Sequence, residues 1–248
     1  MNLMEVTELT KNYPTFSLKN VSFQVPKGKI IGLIGINGAG KTTILKALLN
    51  LIPIDHGKVT MLKNSFWKMN WPASSRLGVV LGGIDFYKDK KIKDITKVTK
   101  RFYEDWDEAA YQNFLTLFSL DPNKKVKELS AGMRVKYLIA LALSHKAKLF
   151  IFDEPTSGLD PVSRDELIEI FLQIVKNGEK SILFSTHITS DLEKCADGIV
   201  YIQAGELVKA APKQEFIDYF QKLKRPEETE ALSLEDIMVR MERKHYDF

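Results

Sequence analysis

Short apolar runs alternate along the chain with longer stretches in which apolar residues recur every three or four positions. Ile30 to Ile34, Leu77 to Leu81, Leu149 to Phe152 and Ser181 to Ser185 are such runs, each stopped by glycine, an acid or a turn. A strand that is apolar on both faces belongs inside a parallel sheet. Residues 3–10 and 21–25 read differently. Phe23 and Val25 alternate with Ser22 and Gln24, the period of two that marks a half-buried strand, and Lys11 to Lys19 reads as the loop between the two. Ile44 to Leu51 is amphipathic and predicts a helix ended near Pro53, which disfavours helix at the residue before it.

From Ile92 the period becomes helical: Ile92, Ile95, Val98 and Phe102 share one face, and Ala109 to Leu120 forms a second helix stopped by Asp121-Pro122. Ser130 reads as the N-cap of a third, through Leu138, Leu141 and Ala142. Asp160-Pro161 opens a helix to about Lys176 with proline at its first position. A short helix, Asp191 to Ala196, precedes a hairpin of Ile199 to Gln203 and Glu206 to Val208 around Ala204-Gly205. The charged tail from Pro212 is helical, breaks at Lys224-Arg225-Pro226 and restarts at Ser233, where Asp236 makes a capping-box signal. Strands alternating with helices give an α/β class, with a helical insertion at about residues 85–145 between strands of the sheet.

Composition changes this picture little. The 248 residues suffice for one large domain with an inserted subdomain. The start, MNLMEVTELTKNYP, has no apolar core behind a basic segment, and no apolar run approaches the roughly 20 residues that span a bilayer, so a cytosolic chain is expected. One cysteine, Cys195, forms no internal disulfide and reads as packing. The net charge is +4, with lysines gathered at Lys88 to Lys93 and Lys124 to Lys127. Interleaved acids make these a solvated face or a protein contact rather than a nucleic-acid site.

The chemistry centres on Gly35-Ile36-Asn37-Gly38-Ala39-Gly40-Lys41-Thr42-Thr43, between a buried strand and a helix. That is the setting of a phosphate-binding loop, GxxxxGK[ST]. Glycines let successive main-chain N–H groups of Asn37 to Thr43 point into one cavity, and the helix start adds partial positive charge. Lys41 would reach the outer phosphates of ATP, and Thr42 would ligate Mg²⁺. Asp153, at the end of an apolar strand, suits the metal, and Glu154 would polarise an attacking water; the alternative is two acids solvated in a loop. His187, just past another strand in Ser-Thr-His, is placed to contact a γ-phosphate, whereas His56, His145 and His245 read as structural. Tyr13 would stack on adenine or pack in the core. Ser130 with Gly132 opens a helix and makes either a second anion site or an ordinary cap.

Together the segments GINGAGKTT, LSAGM, LFIFDEPTSGLD and STH, in that order over about residues 3–210, resemble the ATP-binding subunit of ABC transporters. The resemblance implies a phosphate-loop NTPase cassette at 1–210, with a mostly parallel core sheet, an antiparallel β subdomain and the inserted helical subdomain, followed by a helical extension at 211–248. It makes Tyr13 the adenine-stacking aromatic, Asp153 the metal-site acid, Glu154 the catalytic carboxylate and His187 the switch histidine. It places Ser130 and Gly132 in a signature segment that caps ATP on a second cassette, and Asp160 in the loop between the two. The implied partners are that second cassette, identical or not, and a membrane-spanning permease that holds the chain on the inner face of the membrane. Residues 85–128, hinged at Gly82-Gly83, are the candidate permease contact. Ser233-Leu-Glu-Asp-Ile-Met is similar to exporter ATPases of the bacitracin-resistance type, and Phe86 to Lys90 to exporters of amphipathic peptides such as phenol-soluble modulins.

Two departures from the family stand out. The signature reads Ala-Gly-Met where Gly-Gly-Gln is usual. After Leu77 to Leu81 the family places a glutamine, and here Gly82 and Gly83 follow, with Asp85 the nearest polar side chain. The alternatives are a non-transport ATPase of the same type, or a degenerate cassette that binds ATP and acts structurally.

Overall fold

The computed structural model describes residues 1–62, 64–65, 76–81, 87–226 and 228–243. Among them ten strands join one sheet: β1 (Asn2–Tyr13), β2 (Phe16–Pro26), β3 (Ile30–Ile34), β4 (His56–Met61), β5 (Asn64–Ser65), β6 (Leu77–Val80), β7 (Leu149–Asp153), β8 (Ser181–Thr186), β9 (Gly198–Gln203) and β10 (Glu206–Pro212). Their order is β5-β4-β1-β2-β10-β9-β3-β8-β7-β6. β6, β7, β8, β3 and β9 run parallel, while β1, β2, β4 and β5 pair antiparallel and β10 returns antiparallel on β9. The expected class, a mostly parallel α/β sheet with an antiparallel part, is the one observed.

Alternation along the parallel strands divides the core in two. Ile31, Leu33, Leu149, Ile151, Leu183 and Val200 face one side, where helix α1 (Lys41–Leu48) buries Ile44, Leu45 and Leu48. Ile30, Phe150, Phe152, Ile182, Phe184 and Tyr201 face the other. There the helices α2 (Ile92–Thr99), α3 (Glu108–Leu117), α4 (Ala131–Leu143), α5 (Pro161–Val175), α6 (Thr189–Cys195), α7 (Lys213–Phe220) and α8 (Leu234–Glu242) contribute to one continuous apolar cluster. Phe152 stacks on Phe171 of α5 with centroids 5.1 Å apart, and Phe171 meets Phe184 at 5.4 Å. Gly32 lies under Leu192 of α6, where a Cβ would come within 2.1 Å of its methyl.

Several boundaries differ from the sequence pattern. Lys11 to Lys19 is not a loop: β1 and β2 continue to a two-residue turn at Pro14-Thr15, with Tyr13 paired to Phe16. β1 lies between β2 and β4, so its main chain has partners on both sides whatever its side chains. α1 begins at Lys41 and stops at Leu48, before Pro53 can act, because Asn50 turns left-handed (φ 54°) and Leu51 N–H returns to the Lys46 carbonyl. α2 ends at Thr99 and tightens into a 3₁₀ turn over Lys100–Phe102. β10 runs on to Pro212. The capping box at Ser233 and Asp236 forms as read, and Cys195 is buried, its thiol donating to the Asp191 carbonyl at 3.2 Å. His56 lies 3.5 Å from Glu8, and His145 stacks on Tyr103 at 4.0 Å. Gly82, Gly83, Asp85, Phe86 and His245, including the hinge and the replaced glutamine, lie outside the described residues.

Candidate functional site

β8 lies between β3 and β7 and parallel to both, so three carboxyl ends open on one edge of the sheet. Open α/β sheets place their ligands at that edge. The loop after β3, the acids ending β7 and the histidine after β8 therefore meet, although 30 or more residues separate them in the chain.

The loop is shaped by main-chain constraints. Gly40 caps α1 in a left-handed conformation (φ 112°), and a Cβ there would lie 2.8 Å from both Phe16 and Leu18. No side chain caps this helix start, so its N–H groups remain available to a ligand. Gly35 sits so close to β9 that a Cβ would come within 2.4 Å of the Ile202 carbonyl. Ala39 is buried below the loop; its carbonyl accepts from Gly205 N–H at 3.0 Å, tying the loop to the β9–β10 turn.

Lys41 is buried, and its ammonium donates to the Gly35 carbonyl at 2.7 Å and the Ile36 carbonyl at 3.3 Å. It also lies 3.2 Å from Glu154 Oε1. Thr42 Oγ1 donates to Asp153 Oδ2 at 3.1 Å, with Oδ1 at 3.3 Å. The hydroxyl of Ser185 donates to Asp153 Oδ1 at 2.7 Å and accepts from Glu154 N–H at 2.9 Å. That second bond steadies Glu154, whose main chain is left-handed (φ 48°), an uncommon conformation for a residue with a side chain. Glu154 Oε2 lies 2.8 Å from His187 Nδ1. An ionised carboxylate only accepts, so this nitrogen donates.

These groups surround a cleft of about 490 Å³. Asn37, Gly38, Gly40, Lys41, Thr42, Thr43, Glu154 and His187 line it, together with Ser157 and Phe16. Asp153 joins it through Thr42. Tyr13, Ser130 and Gly132 do not line it. Tyr13 is 41% exposed, with the Lys11 ammonium 5.5 Å from its ring centroid. Ser130 caps α4 by accepting from Met133 N–H at 3.1 Å, and Gly132 is buried against Ser163 of α5. Asp160 caps α5, accepting from Val162 and Ser163 N–H, and its hydrogen bonds from Ser163 hold its carboxyl below the usual range.

Three residues of the site are not marked by the sequence pattern: Ser157, which lines the cleft, Phe16 and Ser185. Phe16 falls within the expected loop at 11–19; the register that pairs it with Tyr13 brings it to the cleft. Ser185 stands opposite Asp153 in the parallel ladder, a relation visible once β7 and β8 are known to be neighbours.

Hard oxygen donors set side by side, one hydroxyl and one carboxylate, fit Mg²⁺, which takes few protein ligands and shares the rest with phosphate and water. Main-chain donors and a buried ammonium beside them fit a polyphosphate. Fold and site together define a phosphate-loop α/β protein built to hold a nucleoside triphosphate.

A family model for the ABC transporter matches residues 18–157. The chain belongs to that family, as an ATP-binding domain. It is 29% identical to the bacitracin transport ATP-binding protein BcrA of Bacillus licheniformis, over 99% of this chain and 80% of that protein. It is 33% identical to the lantibiotic transport ATP-binding protein SrtF of Streptococcus pyogenes, over 83% of this chain and 89% of the other. Among solved structures it resembles an ATP-binding subunit of an ABC transporter with a TM-score of 0.83 at 24% identity, covering 97% of this chain and all of that one. A dimeric ATP-binding cassette bound to ADP and Pi aligns with a TM-score of 0.75 at 19% identity, over 84% and 98% of the two chains. At such identities the likeness speaks for the fold.

Proposed function

We propose that this chain is the ATP-hydrolysing subunit of an ABC exporter, coupling Mg·ATP binding and hydrolysis to transport through a separate permease. One observation carries the reading: the phosphate-loop pair Lys41 and Thr42 touches the strand-end acids Glu154 and Asp153, with His187 on the far carboxylate oxygen. The loop N–H groups and Lys41 bind the β- and γ-phosphates. Thr42 and Asp153 would hold Mg²⁺, which when bound offsets phosphate charge. Glu154 takes a proton from water as the water oxygen bonds to the γ-phosphorus and the bond to ADP breaks. His187 orients Glu154 and contacts the γ-phosphate. Phe16 and Tyr13, paired at the β1–β2 turn, supply the adenine-stacking surface.

The working unit is two cassettes, with Ser130 and Gly132 of each capping ATP on the other; the self-capped state of Ser130 within one chain agrees with an outward role. Residues 1–210 form the cassette, 85–145 its helical insertion and 211–248 the extension. No helix among the described residues is long and apolar enough to cross a membrane, so the transport path belongs to the permease. The relatives' names point to peptide cargo of the antimicrobial, amphipathic kind. Copurification of a permease, with ATP-driven uptake of such a peptide into inverted vesicles that stops in Glu154→Gln, tests the reading. Uptake at the wild-type rate in that variant would overturn it.

A further inference from the structure

The two lysine runs are distant in sequence and adjacent in space. Lys127 N–H donates to the Lys88 carbonyl at 3.1 Å, Val126 N–H to Lys90 at 3.1 Å and Ile92 N–H to the Lys124 carbonyl at 3.0 Å, with Lys91 and Lys125 forming an antiparallel bridge. Ile92 and Val126 are buried beneath this contact, Lys91 and Lys125 are half-buried, and Lys88, Lys90, Lys93, Lys124 and Lys127 are exposed. Lys93, Lys97 and Arg101 continue the stripe at intervals of four along α2 and the turn after it. Residues 87–102 and 121–128 hold ten basic and four acidic side chains, a surplus of six where the whole chain has four.

Part of this charge is neutralised locally. Lys127 pairs with Asp89 at 2.7 Å, Lys100 pairs with Glu108 at 3.0 Å and Lys93 donates to the Asn123 amide oxygen, but Lys90, Lys91, Lys124 and Lys125 form no ion pair among the described residues. Val98 and Phe102, 55% and 53% exposed, flank the stripe. Nine of the ten cations are lysine. Lysine is a point charge on a long apolar stem, suited to a diffuse anionic surface, whereas arginine suits a defined carboxylate or phosphate fork. Lysines beside exposed apolar residues form the composition of an interfacial membrane contact.

We propose that the surface made by residues 88–93, 97–102 and 124–127 docks on the anionic headgroups of a lipid bilayer. The contact deepens the membrane role proposed above: it holds the cassette against the bilayer beside its permease. Flotation of the purified full chain with vesicles of phosphatidylglycerol and phosphatidylcholine, and of phosphatidylcholine alone, tests it. Binding to the anionic vesicles alone is expected, weakened about tenfold or more between 0.1 and 0.5 M salt. Each lysine near such a surface contributes about fivefold. Reversing Lys90, Lys91, Lys124 and Lys125 to Glu should therefore abolish flotation, and the same four to Gln should weaken it by an intermediate factor. Reversing Lys46, Lys58 and Lys176 elsewhere should change little. Equal binding to neutral vesicles, unchanged binding of the Glu set, or tighter capture by an oligonucleotide at the same salt would each overturn the proposal. Mg·ATP calorimetry on the same preparations reads the nucleotide site separately, so failure of one reading is not failure of the other.

Discussion

Two helix starts in this chain carry glycine next to small polar residues, and their environments differ in one decisive respect. At α1 the capping position is Gly40, which has no side chain to offer, and the helix N–H groups face a cleft walled by Lys41, Glu154 and His187. At α4 the cap is Ser130, whose own hydroxyl accepts from Met133, while Gly132 is packed on Ser163. The first start is left open for an external anion; the second satisfies itself. A helix N-terminus becomes a binding site within a chain when the local cap is withheld and other charged groups converge on it. The second start has its own serine cap, and the proposed role opposite a second cassette would bring it a ligand from outside the chain.

Breaking the open site should have the largest effect. Lys41→Ala removes a buried cation from phosphate, a change worth about 2–5 kcal/mol or roughly 30- to 5,000-fold in affinity; calorimetry with Mg·ATP should show binding lost. Glu154→Gln keeps the shape and removes the base, so ATP should bind as before while steady-state turnover falls by about 10² or more. The two glycines sharpen the contrast further. Gly40→Ala forces a left-handed residue whose Cβ lies against Phe16 and Leu18, costing about 1–3 kcal/mol and weakening nucleotide binding. Gly132→Ala sits in a regular helix and meets Ser163 at 3.2 Å, so a gain of about 1 kcal/mol in helix propensity offsets the tighter contact. Urea denaturation should find that variant near wild type. Ser130→Ala should leave the ATP affinity of the isolated chain unchanged, while loss of the cap costs about 1 kcal/mol in stability. A loss of affinity there would mean that α4 contributes to the cleft of its own chain.

The parts of the site that were legible are those written as local chemistry. The loop from Gly35 to Thr43, the acids after an apolar run and the histidine after another each declare themselves through residue type and a strand before them. Phe16 and Ser185 did not. Their roles depend on which strand lies beside which, and neither residue type nor spacing encodes neighbours separated by many residues. Tyr13 shows the converse: its position was legible, but that the β1–β2 register pairs it with Phe16, whose ring lines the cleft, was not. Helix α1 ended early for a similar reason, since a left-handed Asn50 closes the turn before the proline is reached.

The amino-acid order alone determined the alternation of buried strands with amphipathic helices, the phosphate loop, its acids and the family they belong to, because these rest on periodicity and on short contiguous motifs. The tertiary structure decided that β8 separates β3 from β7, that Ser185 ties Asp153 to Glu154, and that two lysine runs form one surface. Those outcomes depend on pairing between segments far apart in the chain, where burial of apolar faces selects the neighbours and local preference has no say.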